Sequence, residues 1–409
     1  MAKVDASGSM IDLFSGAGGL SKGLELAGFH PVYANEYISQ FAETYAANHP
    51  TVWVDSRDIR DVDAAVVRSK LGLEPGELTL LAGGPPCQGF SVNAPKRSIE
   101  DRRNHLFNDY LKFAAEFQPK FVLIENVPGL VSFEGGRTLE AILQALRVLG
   151  YDVDVQILYA PHFGVPQTRW RTIILGKRSD LNIDLELYPT ARHHAPARVN
   201  FTSSHRDRSL VQRPSSDQLK AHTTVAEAID DLPLLKNGSG SPDGANYRTV
   251  AQNAYQELLR DGSSGVSNHR GASLSAINIE RLANIPPGGN WTDIPVHLLP
   301  EGMKKARRSD HTKRYGRPSA DSLSSTILTK CDPHWGAYFH YSQDRVFTVR
   351  EAARIQSFPD SYVFTGSVSD QYAQVGNAVP PLMARAIGDS LMAAQSAHLR
   401  GQIRSAEVA

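Results

Sequence analysis

Apolar positions in the first 180 residues fall into two alternating rhythms. Short apolar or alternating runs at Met10–Phe14, Pro31–Asn35, Leu78–Ala82, Phe121–Ile124, Val153–Leu158 and Thr172–Leu175 predict strands. Between them, apolar residues recur at helical spacing over Leu20–Ala27, Ile38–Asn48, Leu106–Phe117 and Leu139–Leu149. This alternation predicts βαβ units and a doubly wound, mostly parallel sheet, so the fold class is α/β. Ligands of such a sheet gather outside the carboxyl ends of its strands.

Beyond residue 180 both rhythms fade. Residues 181–345 are rich in Ser, Asn, Pro, Gly, His and Arg, and only short helices are expected, such as Val225–Leu232 and Asn278–Asn284. The stretch "KNGSGSPDGAN" is a turn-rich loop. A smaller, loop-rich domain is therefore expected over 181–345, following a first domain over 1–180. Order returns in "FTVREAARIQSFPD", read as a structural helix and turn, and a last helix is expected from Pro381 to His398. Residues 346–409 are expected to return to the hinge of the small domain and to the first domain.

Composition narrows the class. The 409 residues carry 43 basic and 43 acidic side chains, so net charge argues neither for nor against nucleic acid. No apolar run approaches the ~20 residues of a membrane helix, and "MAKVDASGSM" lacks the apolar core of a signal peptide. Two cysteines make neither a disulfide framework nor a zinc cluster. His193 and His194 lack partners at ligand spacing, so no metal is expected. A reducing, cytoplasmic setting follows. Local charge says more: "KKARRSDHTKRYGR" sets seven basic residues against Asp310, and "PKRSIEDRRN" is a second basic cluster.

Several motifs sit at predicted strand ends. "MIDLFSGAGGLSKGLELAGF" is a strand, a glycine turn and a helix, in which Gly16, Gly18 and Gly19 let backbone approach a ligand. Glu36 follows the next strand, placed to hold ribose hydroxyls, although Ser21 stands where a dinucleotide fingerprint has its third glycine. The turn alone fits a nicotinamide or an adenosyl cofactor equally. In "LTLLAGGPPCQGFS", Cys87 lies just past a strand end behind two prolines, as a nucleophile or as a small buried hydrophobe. Glu125, in "FVLIENVPGL", projects over the same edge, as a proton donor or a local cap. Arg169 and Arg171 of "QTRWR" point the same way if extended. "QVGNAVPP" reads as a turn entering a helix, and Cys331 has no catalytic company.

In their order along the chain, "DLFSGAGG", "NEY", "RDI", "GGPPCQGFS", "DRRNHLF", "ENV", "QTRWR", "TVREAARIQSFPD" and "QVGNAVPP" resemble the cytosine-5 DNA methyltransferases of bacterial restriction-modification type. The resemblance implies S-adenosyl-L-methionine as cofactor, held by Phe14, Gly16, Gly18, Gly19, Glu36, Tyr37, Asp58, Ile59, Pro85, Leu106, Asn377 and Ala378. It implies Cys87 as the nucleophile at cytosine carbon 6, Glu125 as the acid at ring nitrogen 3, and Arg169 with Arg171 as further catalytic residues. Residues 1–180 become the catalytic domain and 181–345 the target-recognition domain. DNA contacts are implied at Gln88 and Ser91, at Lys96, Arg97, Arg102 and Arg103 in a loop from Val92 to Arg103 closing over a flipped base, and at Lys304, Lys305, Arg307 and Arg308. The expected partner is double-stranded DNA, bound by a monomer in the bacterial nucleoid, which leaves room for a cognate restriction endonuclease at the same site.

Three rivals remain at this point. A transfer-RNA methyltransferase would carry a "CFT"-like signature, which the chain lacks. An idle DNA-binding regulator would not need Cys87 and Glu125. A dinucleotide oxidoreductase explains the glycine turn but leaves "PPCQGFS" and "ENV" without purpose.

Overall fold

A computed structural model of the protein describes residues 6–86, 106–181, 183, 186–199, 201, 205–214, 218–241, 244–309 and 312–408. The chain divides into two compact units. The first comprises Met1–Phe163, Trp170–Leu219 and Pro381–Ala409, and the second Gly164–Arg169 and Lys220–Pro380.

The main sheet of the first unit is built from β1 (Ser9–Leu13), β2 (His30–Asn35), β3 (Trp53–Asp55), β4 (Leu80–Gly83), β5 (Phe121–Asn126), β6 (Tyr151–Tyr159) and β7 (Trp170–Arg178). Among the described residues they form one seven-stranded sheet in the order β3-β2-β1-β4-β5-β7-β6. Neighbours from β3 to β5 are parallel, while β7 runs antiparallel to both β5 and β6. The mostly parallel, doubly wound expectation is met. β1 and β4 are buried throughout, which explains why β4 reads as a continuous apolar run and why β1 departs from one only at the buried Ser9 and Asp12. Strand order reverses between β1 and β4, and a sheet of this kind opens a ligand crevice at that reversal.

The helices of this unit are α1 (Gly19–Leu26), α2 (Ser39–Asn48), α3 (Ala64–Leu71), α4 (Leu106–Phe117), α5 (Arg137–Val148) and the short α6 (His205–Ser209). Phe113, Phe117, Leu139 and Leu146 of α4 and α5 pack with Leu81, Val122 and Ile174 of the sheet in one buried cluster. β3 and α3 fall where no element is expected from the sequence. β3 is a three-residue edge strand, too short to show a period. α3 is announced by its ends: the Asp63 side chain accepts from the amides of Ala65 and Val66, and Gly72 closes it at φ 67.

The second unit holds α7 (Val225–Ile229), α8 (Ala254–Arg260), α9 (Ala276–Ala283), α10 (Glu301–Lys304), α11 (Val349–Ile355) and α12 (Val368–Asn377). One of its cores gathers Leu282, Ile285, Trp291, Ile294, Met303, Tyr315, Phe339 and Val346. α11, inside "FTVREAARIQSFPD", is buried along its whole length and opens with a capping box between Thr348 and Glu351. Its arginines are neutralised internally. Arg354 donates to Asp231 at 2.7 Å and to Asp360 at 2.7 Å, Arg350 lies 3.8 Å from Asp360, and the helix's own Glu351 pairs with Arg345, which precedes the helix, at 2.6 Å.

The last helix, α13 (Pro381–Val408), runs further than expected and belongs to the first unit, against α1. The contact is too tight for any side chain at Gly23, where a Cβ would lie 2.2 Å from the Pro381 carbonyl. No helix among the described residues is long and apolar enough to cross a membrane.

Candidate active site

The turn after β1 sits at the strand-order reversal. Phe14, Gly16 and Gly18 all take positive φ, at 58°, 58° and 91°, and the Gly18 amide closes the turn on the Ser15 carbonyl at 3.0 Å. The glycines adopt this conformation without strain, whereas Phe14 is held there by its surroundings. Gly18 is the N-cap of α1, and no side chain caps that end.

Glu36, just past β2, is about nine-tenths buried and ties the turn down. Its Oε2 accepts the Gly16 amide at 2.8 Å and its Oε1 accepts the Ile38 amide at 2.8 Å. Burial raises its pKa, and those two N–H groups act against the rise. Tyr37, the next residue, is 69% exposed.

The β2 end also gathers the following loop. Asn35 donates to the carbonyls of Asp55 at 3.0 Å and Arg57 at 2.9 Å. Asp58 accepts the Arg60 amide at 3.0 Å, and its hydrogen bond with the Arg60 side chain holds its carboxyl below the usual range. Ile59 is buried beside it.

Ser21 has a role of its own. Its hydroxyl donates to Asp12 Oδ2 at 2.6 Å and meets the Tyr45 hydroxyl at 2.7 Å. Where a third glycine would permit close helix–strand packing, a buried hydrogen bond from α1 to β1 stands instead. Asp12 is fully buried, and its Oδ1 has no partner. Desolvation pushes its pKa up to about 7, with Ser21 opposing and Glu36 adding to the rise. Sequence reasoning did not single out Asp12. The departure at Ser21 was the available signal.

One strand across, β4 leads into Gly84 and Pro85. Glu125, near the end of the adjacent parallel β5, forms an ion pair with Arg171 of β7, and both side chains are about seven-eighths buried. That pair explains one spacing: β5 and β7 are antiparallel neighbours, with Glu125 opposite Ile173 and Leu158 opposite Arg171 on the far side. A Cβ on Gly84 would come 3.3 Å from Glu125 Oε2, so the carboxylate lies against the backbone that leads to Cys87. The next residue, Asn126, donates to the Pro85 carbonyl at 3.1 Å. Leu106 opens α4 and packs half-buried on the core, as does Phe14. Cys87, Gln88, Ser91, Lys96, Arg97, Arg102 and Arg103 lie outside the described residues.

The remaining candidates are in the second unit. Arg169 is buried, and its guanidinium donates to the carbonyls of Ile327 at 3.2 Å, Gly376 at 3.0 Å and Ala378 at 2.9 Å. Arg171 instead takes the carboxylate. Asn377 ends α12 with an exposed side chain, and Ala378 is buried after it. Lys304, Lys305, Arg307 and Arg308 are all exposed; Lys304 reaches Glu301 at 2.5 Å and Arg308 the Thr292 carbonyl at 2.5 Å. Cys331 is buried, and burial drives its thiol pKa up strongly.

A sequence profile described as C-5 cytosine-specific DNA methylase matches residues 8–393. The type II methyltransferase M.AgeI of Thalassovita gelatinovora is 34% identical, across 94% of this chain and 99% of that protein. M.DdeI of Desulfomicrobium norvegicum is 33% identical, across 94% and 88%. Among solved structures, a candidate DNA modification methyltransferase encoded within an E. coli prophage aligns with a TM-score of 0.72 at 24% identity, over 95% of this chain and 99% of that one, a likeness of fold. The chain thus belongs to the C-5 cytosine-specific DNA methylase family and is a DNA (cytosine-5-)-methyltransferase.

Proposed function

We propose that this enzyme transfers a methyl group from S-adenosyl-L-methionine to carbon 5 of a flipped-out cytosine in a short duplex sequence, through a covalent adduct on Cys87. The observation that carries the reading is Glu125: anchored by Arg171, its Oε2 rests against Gly84, three residues before Cys87. The backbone that leads toward Cys87 and the Glu125 carboxyl therefore leave neighbouring parallel strands at the same edge of the sheet.

Cytosine carbon 5 is a poor nucleophile while the ring is aromatic. Attack by the Cys87 thiolate on carbon 6 breaks the aromaticity, and Glu125 supplies a proton to nitrogen 3 as the electron sink. Carbon 5 then has enamine character. After transfer, loss of the carbon 5 proton to solvent re-forms the 5,6 double bond and expels the Cys87 thiolate, and the nitrogen 3 proton returns to Glu125. None of this can occur inside a stacked duplex, so the base must be extruded, at a cost of a few kcal/mol.

The cofactor supplies an electrophilic methyl on a sulfonium. Three features of the glycine turn suit it. Gly16 faces open space, with nothing within 4 Å of a Cβ position. The Ser15 hydroxyl is buried without a protein partner. The start of α1 offers uncapped amides to a carboxylate. Phe14, Gly16, Gly18, Gly19, Glu36, Tyr37, Asp58, Ile59, Pro85 and Leu106 would hold the group, and the family resemblance assigns Asn377 and Ala378 the same role. Residues 181–345 would recognise the target, with Lys304, Lys305, Arg307 and Arg308 on phosphates. Relatives named type II methyltransferases support a cytoplasmic role beside a cognate endonuclease.

Methyl-labelled S-adenosyl-L-methionine should label a mixed-sequence duplex library. Cys87→Ser should abolish labelling, Glu125→Gln should lower it strongly, and a 5-fluorocytosine duplex should trap a covalent complex on Cys87. Label confined to RNA, or full transfer by Cys87→Ser, would overturn the proposal.

A further inference from the structure

Trp335 is 55% exposed, in contrast to Trp291, buried at 2% in the same unit. Nor is its loop slack. The Trp335 amide donates to the Asp332 carbonyl at 3.0 Å, and the His334 amide to Asp332 Oδ1 at 2.9 Å. The Tyr315 amide donates to the Pro333 carbonyl at 2.6 Å, and a Cβ on Gly316 would fall 2.4 Å from that of Ala337. This loop is thereby fastened to the basic run, which is itself tied to the turn at Trp291–Asp293: the Trp291 amide donates to the Arg314 carbonyl at 3.1 Å. The Arg314 guanidinium lies across the Trp335 ring, 4.9 Å from its centroid, and the His334 ring meets it edge-on at 5.1 Å. Burial and the Arg314 charge lower the pKa of His334, which disfavours its charged form. Arg308, whose guanidinium donates to the Thr292 carbonyl of the Trp291–Asp293 turn, is exposed, as is Lys330, five residues before Trp335.

A rigidly held, solvent-facing indole among cations is the chemistry of a base-stacking platform. In an intact duplex every base face is covered, and an aromatic ring finds a partner only where a step is unstacked. Extrusion of a cytosine creates such a step. We infer that Trp335, backed by Arg314, stacks on an unstacked base of the bound DNA while the neighbouring basic side chains take flanking phosphates. The inference rests on the base-extruding reading above and goes beyond it by naming the residue that occupies the opened step.

The test is tryptophan emission during titration with a mixed-sequence duplex library, for wild type, Trp335→Phe and Trp335→Ala, with methyl-transfer kinetics on the same DNA. Stacking should quench wild-type emission, and Trp335→Phe should remove most of that quench while binding persists. Trp335→Ala should raise the Kd and the KM for DNA by about 5- to 150-fold, the range for one lost base–aromatic stack, with kcat little changed. Wild-type emission unmoved by saturating DNA, or Trp335→Ala binding DNA like wild type, would overturn the assignment. So would an equal quench by heparin, which carries charge but no bases. If wild type transfers no methyl group to any duplex, the proposed function fails, while the quench and Kd measurements still decide the role of Trp335.

Discussion

Replacing Asp12 by asparagine offers a direct test of the ground beneath the glycine turn. The Asp12 carboxyl is fully buried, accepts one hydrogen bond from Ser21 and has an unpartnered Oδ1. Its pKa rises from an ordinary 3.8 to about 7, mainly because burial penalises the charged form. In the unfolded chain the group ionises near its ordinary value, so between pH 3.8 and about 7 the unfolded state has already released a proton that the folded state still holds. The stability contributed by the protonated acid is therefore complete at low pH and is lost as pH rises through this window, at about 1.4 kcal/mol per pH unit. About 4 kcal/mol is at stake across the window. The asparagine side chain cannot ionise and escapes the loss. It can keep the Ser21 bond, but it turns an amide N–H₂ toward the unpartnered position, a fixed cost of about 1–3 kcal/mol at every pH. Asp12→Asn should thus match or fall below wild type at pH 4.5 and overtake it by pH 8. The relative gain should be on the order of 10 °C in melting temperature, taking about 2–4 °C per kcal/mol. Trp53 and Trp170 report on this unit by fluorescence. Parallel pH profiles for the two proteins would show that Asp12 ionises normally, and the burial argument would be wrong.

Two further outcomes follow from contacts. Gly84→Ala places a methyl 3.3 Å from Glu125 Oε2; kcat should fall at least tenfold by displacement of the acid, with melting nearly unchanged, and wild-type kcat would show that Glu125 need not stay there. Arg169→Met removes the guanidinium donor from the buried carbonyls of Ile327 and Gly376, while the Ala378 carbonyl keeps its bond from Gln356 at 2.6 Å. It should destabilise the second unit by about 3 kcal/mol, read by Trp291 fluorescence during urea unfolding, and unchanged stability with lost activity would place Arg169 in the chemistry instead.

What local pattern determines is legible without coordinates. The runs that form β1, β2, β4, β5, β6 and β7 are set by side-chain alternation and burial over a few residues, as are α1, α2, α4 and α5. The ends of α3 are equally local, in Asp63 and Gly72, but its apolar face is short enough to hide it. Other features depend on contacts far apart in the chain, which no period encodes. The reversal of strand order between β1 and β4, the antiparallel insertion of β7, and the seat of α13 on Gly23 are of this kind. So are the functional details. A sequence shows that Glu125 and Arg171 exist, and only the β5–β7 pairing brings them together. It shows an aspartate in "DLFSGAGG", and only its burial, with one oxygen unpartnered, raises its hold on a proton. Residue type sets the chemistry a side chain can perform. Desolvation and partners, which tertiary packing alone supplies, decide which of those chemistries it is poised for.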